Sequence, residues 1–422
     1  MNPVNDDAAS QLLLRGPTLR DGRQVDVLLR AGVIAAVRPA GELTASVETV
    51  DLAGHLLLPA PAEPHTHLDK VYSADVVANP AGDLDSAVTA WLSYRPSMTA
   101  SEIMPRALKA VRAYVRNGAT AIRTHVDVGM DLGLRALAAV LEVRAIVARE
   151  CDLQIVAFIS NPVAGRAGDR SRALLREAIA AGADVVGGCP ARDSDPAECI
   201  DACLTAAGEY GVPVDLHVDE MLDPEPCTLS LLAGAVAATG FPYGVVASHC
   251  VSLGMMPPDR AGEIAKRVAA AGIVVTCLPP TNLYLQGREH RSASPRGLTA
   301  VRILRDAGVT VAAGADSLQD PFNPLGRADP LDTAALLVLA GHDAPETAYA
   351  SVSTQARRAL GLTTVDVAPG EPAELLAVRA RSVRQAIAES TPDRVVIHKG
   401  QVVAHTSVVR HGREHDTTPV TP

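Results

Sequence analysis

The feature that most constrains this chain is an alternation running through its middle. Eight short apolar, β-branched runs (HLLLPAP, ATAIRTHVDV, QIVAFIS, ADVVGGCP, PVDLHVD, GVVASHC, IVVTCLPP and TVAAGAD) are each followed by a segment of helical character, such as LGLRALAAVLEVRAIVARE. Strands that are apolar throughout must be covered on both faces, and intervening helices supply that cover, so the sheet is parallel. Eight such units in roughly 250 residues or more fit a closed (β/α)8 barrel better than an open doubly wound sheet. No G-x-G-x-x-G follows a strand, which weakens a dinucleotide-binding alternative.

The two ends have a different texture. QLLLRG, QVDVLLRAGVIAAV and VETVDLAGHLLLP near the start, and AELLAVRA and RVVIHKGQVVAHTSVV near the end, are short strands punctuated by turns. The predicted class is therefore α/β: a TIM-like barrel over residues 59–361, with a small β-sandwich made from 1–58 and 362–410. A polar tail, 411–422, follows.

Composition closes off several functions. With 48% hydrophobic residues in 422, a large core needs no disulfides or oligomerisation. A net charge of -10 without a basic cluster argues against a nucleic-acid partner. No apolar stretch approaches the roughly 20 residues needed to span a bilayer, and MNPVNDDAASQ lacks the look of a secretory leader. Seven cysteines with no C-x-x-C suggest neither a thiolate zinc site nor a disulfide framework. A cytoplasmic location and no membrane partner are expected.

Chemistry is expected at the C-terminal ends of barrel strands, and that is where the polar residues fall. The first strand ends in Glu63-Pro64-His65-Thr66-His67-Leu68-Asp69-Lys70; others end at His125, His217, His249 and Asp316. In an extended strand end, residues two apart point the same way, so His65 and His67 can reach one ion. His217 and Asp316 would complete an N3O set suited to a borderline divalent metal. Glu220 is placed to shuttle a proton, with Asp219 its direct competitor for that role. His249 follows a buried run and needs a partner or a catalytic use. For His125, assistance to the site and a hydrogen bond beneath it weigh equally; Lys70 either touches substrate or pairs with Asp69 or Glu63. The segment from Pro80 to Met104, with Trp91 and Tyr94, is expected to form a lid.

The stretches EPHTHLDK, IRTHVDV, LQIVAF, GADVVGG, LHVDE, SHC, NLYLQGR and GADSLQDPFNPLG resemble the amidohydrolase superfamily, cytosine deaminase branch, over nearly the whole chain. The triazine-side-chain hydrolases of that branch are similar too. The resemblance implies one divalent metal, Zn2+ or Fe2+, on His65, His67, His217 and Asp316. It implies Glu220 as the proton-shuttling acid, His249 as the residue orienting water, and Phe158 and Phe322 as ring contacts. Two departures stand out. Ser160 replaces a pyrimidine-reading glutamine, and Ser317 an acid beside the metal aspartate, so cytosine itself is not the expected substrate. No lysine ends the fourth strand, where two-metal relatives carry a bridge. The expected reaction is hydrolytic deamination of a small amino-substituted nitrogen heterocycle. Ring opening of a cyclic amide and a non-catalytic barrel are the alternatives, and the resemblance points to a homo-oligomer.

Overall fold

The structure, a computed structural model, describes residues 11–43 and 46–409. Two four-stranded sheets and one eight-stranded sheet organise it. The first small sheet contains β1 (Gln11–Arg15), β2 (Val25–Arg30), β3 (Val33–Pro39) and β4 (Glu48–Asp51), ordered β3-β2-β1-β4. Its β2–β3 hairpin turns at Ala31 and Gly32, both at positive φ (51° and 77°), the geometry that matches the twist of paired strands.

The chain then makes β5 (Leu56–Pro59) and enters the barrel. Its strands are β6 (Ala62–Thr66), β7 (Ala121–Val128), β8 (Asp152–Ile159), β9 (Val185–Gly187), β10 (Val214–Val218), β11 (Val245–His249), β12 (Val274–Cys277) and β13 (Val311–Ala313). They are hydrogen-bonded in sequence order and all parallel. The last three strands, β14 (Leu375–Val378), β15 (Arg394–His398) and β16 (Gln401–Thr406), join β5 in the order β16-β15-β14-β5.

One expectation needs correction. HLLLPAP is expected both as the first barrel strand and within the β-rich N-terminal end; Leu56–Pro59 pairs antiparallel with Leu375–Val378, so only the second holds, and the barrel strand is the next segment, Ala62–Thr66. The physical reason lies in burial. Leu57, Leu375, Ala377, Val395 and Ile397 enter the sandwich core, whereas Leu56, Leu58, Leu376, Val378 and Val396 pack into the barrel's helical shell. This sheet is apolar on both faces because it is a middle layer, so its strands read like barrel strands. The predicted tail, 411–422, lies outside the described residues.

Pleating sets the barrel's interior. In β7, Ile122, Val126 and Val128 join the shell core, while Arg123, His125 and Asp127 take the opposite parity. Closure between β6 and β13 rests on few contacts: the bridge Thr66↔Asp316, and the Asp316 N–H donating to His65 O at 2.9 Å. Glu63, 2% exposed, braces this seam by accepting the N–H groups of His65 (3.0 Å) and Ala315 (3.1 Å). Gly314 leaves room for it, since a Cβ there would lie 2.3 Å from Glu63 Oε1. Among the described residues no helix is long and apolar enough to cross a membrane.

Replacing Glu63 by Ala strands two buried backbone donors, so stability should fall by on the order of 2–4 kcal/mol. Thermal unfolding of Glu63→Ala measures this; an unchanged midpoint would mean that strand bonding alone closes the seam.

Candidate active site

The strand ends above the barrel are irregular in a consistent way. Between β6 and β7 the register slips at Glu63–Thr66, a bulge that re-aims the residues around His65. Asp219, His249, Cys250, Asp316 and Gln319 all have positive φ, between 50° and 74°. Such backbone costs energy for residues with a Cβ, and its concentration at one rim marks a site whose surroundings enforce it.

There the sequence-predicted ligands converge. One ligand atom from each of His65, His67, His217 and Asp316 lies within 4.8 Å of the others. His67 Nε2 is 3.2 Å from both His217 Nε2 and Asp316 Oδ1, and His65 Nε2 is 3.6 Å from Asp316 Oδ1. His65 Nε2 has no hydrogen-bond partner among the described residues. Two imidazole nitrogens facing each other beside an unpartnered third are poorly satisfied by hydrogen bonds, and they suit a cation. Burial, with the neighbouring cationic groups, holds the pKa of all three histidines well below the usual range, which keeps their lone pairs free.

The tautomer of His65 follows from a chain of hydrogen bonds. Asp215 is buried, and His125 and Arg123 outweigh that burial, bringing its carboxyl down to about 2, so it only accepts. Ser248 Oγ donates to Asp215 Oδ1 at 2.8 Å and therefore accepts from His65 Nδ1, also at 2.8 Å. With its proton on Nδ1, His65 presents Nε2 as a lone pair. Arg123 Nη1 closes the chain on Asp215 Oδ2 at 2.9 Å. His125 lies beneath the site, stacked on His65 at 3.9 Å between ring centroids, and neither ring nitrogen has a hydrogen-bond partner among the described residues.

A helix terminus separates Asp219 from Glu220. Asp219 turns away and accepts the N–H groups of Thr228 (2.9 Å) and Leu229 (3.0 Å) at the start of helix Thr228–Thr239. Glu220 is left lining the cavity, its Oε1 3.7 Å from His249 Nδ1. Burial, reinforced by Asp316, raises the Glu220 carboxyl well above the ordinary range. Asp316 is raised as well, by burial. The side-chain N–H of Asn282 donates to His249 Nδ1 at 3.1 Å, which puts the ring proton on Nε2.

A cavity of about 370 Å3 opens onto this cluster. His67, Lys70, Phe158, Ser160, His217, Glu220, His249, Asp316, Ser317 and Phe322 all line it; His65, fully buried, sits behind them. The Phe158 ring is 4.3 Å from that of His217. Lys70 is buried, donates to Asp127 Oδ1 at 2.7 Å and lies 3.0 Å from His67 Nδ1.

The expected lid segment contains helix α1 (Leu84–Tyr94), whose Leu84, Val88, Trp91 and Leu92 form one wall of the cavity. Trp91 Nε1 donates to Asp127 Oδ2 at 2.7 Å, which anchors the helix to the rim. Sequence reasoning missed Arg95, Asp127, Asn161, Cys189 and Arg192 in this lining. The alternate parity of Arg123, His125 and Asp127 in an otherwise apolar strand was the available signal for Asp127.

Burial brings the His249 imidazole down to about 4, since the charged ring loses its hydration. In metal-free protein its ring should therefore stay neutral from pH 7.5 to 5.5 in nitrogen-15 spectra, assigned with a His249→Gln variant. A midpoint near 6.5 would contradict this picture of the site.

The sequence model of the amidohydrolase family matches residues 83–404. The chain is 33% identical over 394 residues to a pterin deaminase of Rhizobium rhizogenes, covering 92% of this chain and 90% of that one. It superposes on a 5-methylcytosine deaminase from Klebsiella pneumoniae, liganded with phosphonocytosine, with a TM-score of 0.85 at 31% identity, covering 95% and 100% of the two chains. N-isopropylammelide isopropylaminohydrolase from Burkholderia multivorans gives a TM-score of 0.81 at 29% identity, covering 94% and 98%. With its barrel, its strand-end histidines and these relatives in agreement, the chain belongs to the amidohydrolase family.

Proposed function

We propose that this protein hydrolytically deaminates an amino-substituted nitrogen heterocycle of the pyrimidine, triazine or pterin kind. The observation that carries the reading is the convergence on one cavity of the three imidazoles and Asp316 with Glu220 and His249. Relatives named for pterin and 5-methylcytosine deamination support it. So does the absence of a lysine in Ala183–Pro190, which favours one metal over a bridged pair.

His65, His67, His217 and Asp316 would hold one divalent ion, Zn2+ or Fe2+. That ion supplies Lewis acidity, which lowers the pKa of a water molecule from about 15.7 towards roughly 7. Held through Nε2, His67 would carry its proton on Nδ1, and the Lys70 ammonium beside it would keep its hydrogen bond to Asp127. Lys70 thereby holds the pocket's cationic corner, over the rings of Trp91 and Phe158 at 5.5 and 5.6 Å.

Phe158 and Phe322 flank a planar ring, and Ser160 and Ser317 border its edges. Asp316 accepts the proton of the attacking water. His249 Nε2–H donates to the oxygen being added and fixes its approach. Glu220, with its raised proton affinity, passes its proton to the ring nitrogen, takes the second proton of the added water as the oxo group forms, and hands that one to the leaving amine, which departs as ammonia or a small alkylamine; the proton held by Asp316 then returns to Glu220. The whole is a cytoplasmic, small-molecule enzyme; its assembly state, a homo-oligomer on this reading, is open to light scattering.

The deciding assay is ammonia release from amino-pyrimidines, amino-triazines and pterins by protein reconstituted separately with zinc and with ferrous iron. Metal-dependent release from one ring class is expected; hydrolysis with no amine product would move the reaction to ring opening. Glu220→Gln should keep about one equivalent of metal while turnover falls by roughly 10²–10⁴. Near-wild-type turnover in that variant would take Glu220 out of the mechanism.

A further inference from the structure

The cavity wall at the C-terminal end of β8 holds a cluster that the deamination chemistry does not use. Arg95, directly after α1, is 7% exposed. Its Nε and Nη2 donate to Asp131 Oδ2 and Oδ1 at 2.7 and 2.8 Å. Its Nη1 donates to Ser160 Oγ at 2.7 Å, with Asp127 Oδ2 at 3.4 Å. Gly129 makes room for all three groups. A Cβ there would lie 2.8 Å from Ser160 Oγ, 2.9 Å from Asp131 Oδ1 and 3.0 Å from Arg95 Nη2. The cluster is therefore built into the rim.

Its chemistry runs in one direction. A guanidinium only donates, so Ser160 Oγ spends a lone pair on Arg95 and keeps its own proton. Among the described residues that O–H has no acceptor, and the cation on Oγ strengthens it as a donor. Ser160, one residue past the end of β8, follows Phe158 by two residues, which sets the two about 6–7 Å apart along the extended chain, and both line the cavity. That is the span of a heterocyclic ring whose amine lies at the metal end.

We propose that Arg95, oriented by Asp131 and given room by Gly129, makes Ser160 a one-way hydrogen-bond donor. It selects amino heterocycles that carry an oxo oxygen on the edge away from the leaving amine. Arg95 is a positioning residue and Ser160 the contact. A glutamine at this position would read both donors and acceptors, whereas this pair reads acceptors alone. The inference rests on the deaminase reading for the orientation of the ring.

The test compares binding of pterin with that of 2-aminopteridine, which lacks the oxo group. Dissociation constants come from quenching of Trp91, the chain's only tryptophan and part of the cavity wall. Wild-type protein should favour pterin by roughly 10–100-fold. Ser160→Ala, Arg95→Met and Gly129→Ala should each bring that ratio near one, mainly by weakening pterin, and Ser160→Thr should restore it. A ratio near one in wild type, or a wild-type ratio in Ser160→Ala, overturns the assignment. Should Arg95→Met misfold, Ser160→Ala decides, because it removes one half-buried hydroxyl and leaves the Arg95–Asp131 pair in place. Selective binding without ammonia release would sink the deaminase reading alone and leave the donor edge standing; binding of neither ligand removes both.

Discussion

A barrel of parallel strands exists only if its first and last strands bond to each other, and here that bond is made beside the chemistry. β6 and the segment following β13 meet through Thr66 and Asp316, through the Asp316 N–H on His65 O, and through Glu63 accepting from His65 and Ala315. Residues some 250 positions apart in sequence are thereby fixed against one another. Closure of the fold and assembly of the histidine–aspartate cluster are one event, so anything that loosens the seam also loosens the cluster.

The same closure explains the electrostatics. Deep burial disfavours every charge, and the buried groups respond in opposite directions: the histidines lose proton affinity, while Glu220, Asp316 and Glu63 gain it, Glu63 up to about 8. Neutral imidazoles with outward lone pairs are what a cation needs, and carboxyls with raised proton affinity are what a proton shuttle needs. Beneath the cluster the interior is ionic, with Arg123, Asp215 and Ser248 fixing the orientation of His65. Such outer partners are expected to matter for metal affinity nearly as much as the ligands do.

The barrel was legible because its strands are apolar on both faces and separated by helices. For the same reason Leu56–Pro59 reads as a barrel strand as well as a sandwich strand: a sheet sandwiched between two cores has no alternation to distinguish it. The four proposed ligands were legible because histidine and aspartate at strand ends have few uses in an apolar context. Asp219 and Glu220 were not separable, since only the start of helix Thr228–Thr239 decides which turns away. Arg95 was invisible for a different reason. It comes from outside the barrel strands, and its meaning depends on the close approach to Gly129 and Ser160, which no local pattern encodes.

The most direct test of the account is anomalous diffraction at the zinc edge from crystals of metal-loaded protein. One peak should appear, bonded to Nε2 of His65, His67 and His217 and to an oxygen of Asp316, with Glu220 nearby but not ligating. A peak instead among His65, His125 and Asp215, the deeper group that also brings three ligand atoms together, would contradict it. So would two peaks bridged across the cavity.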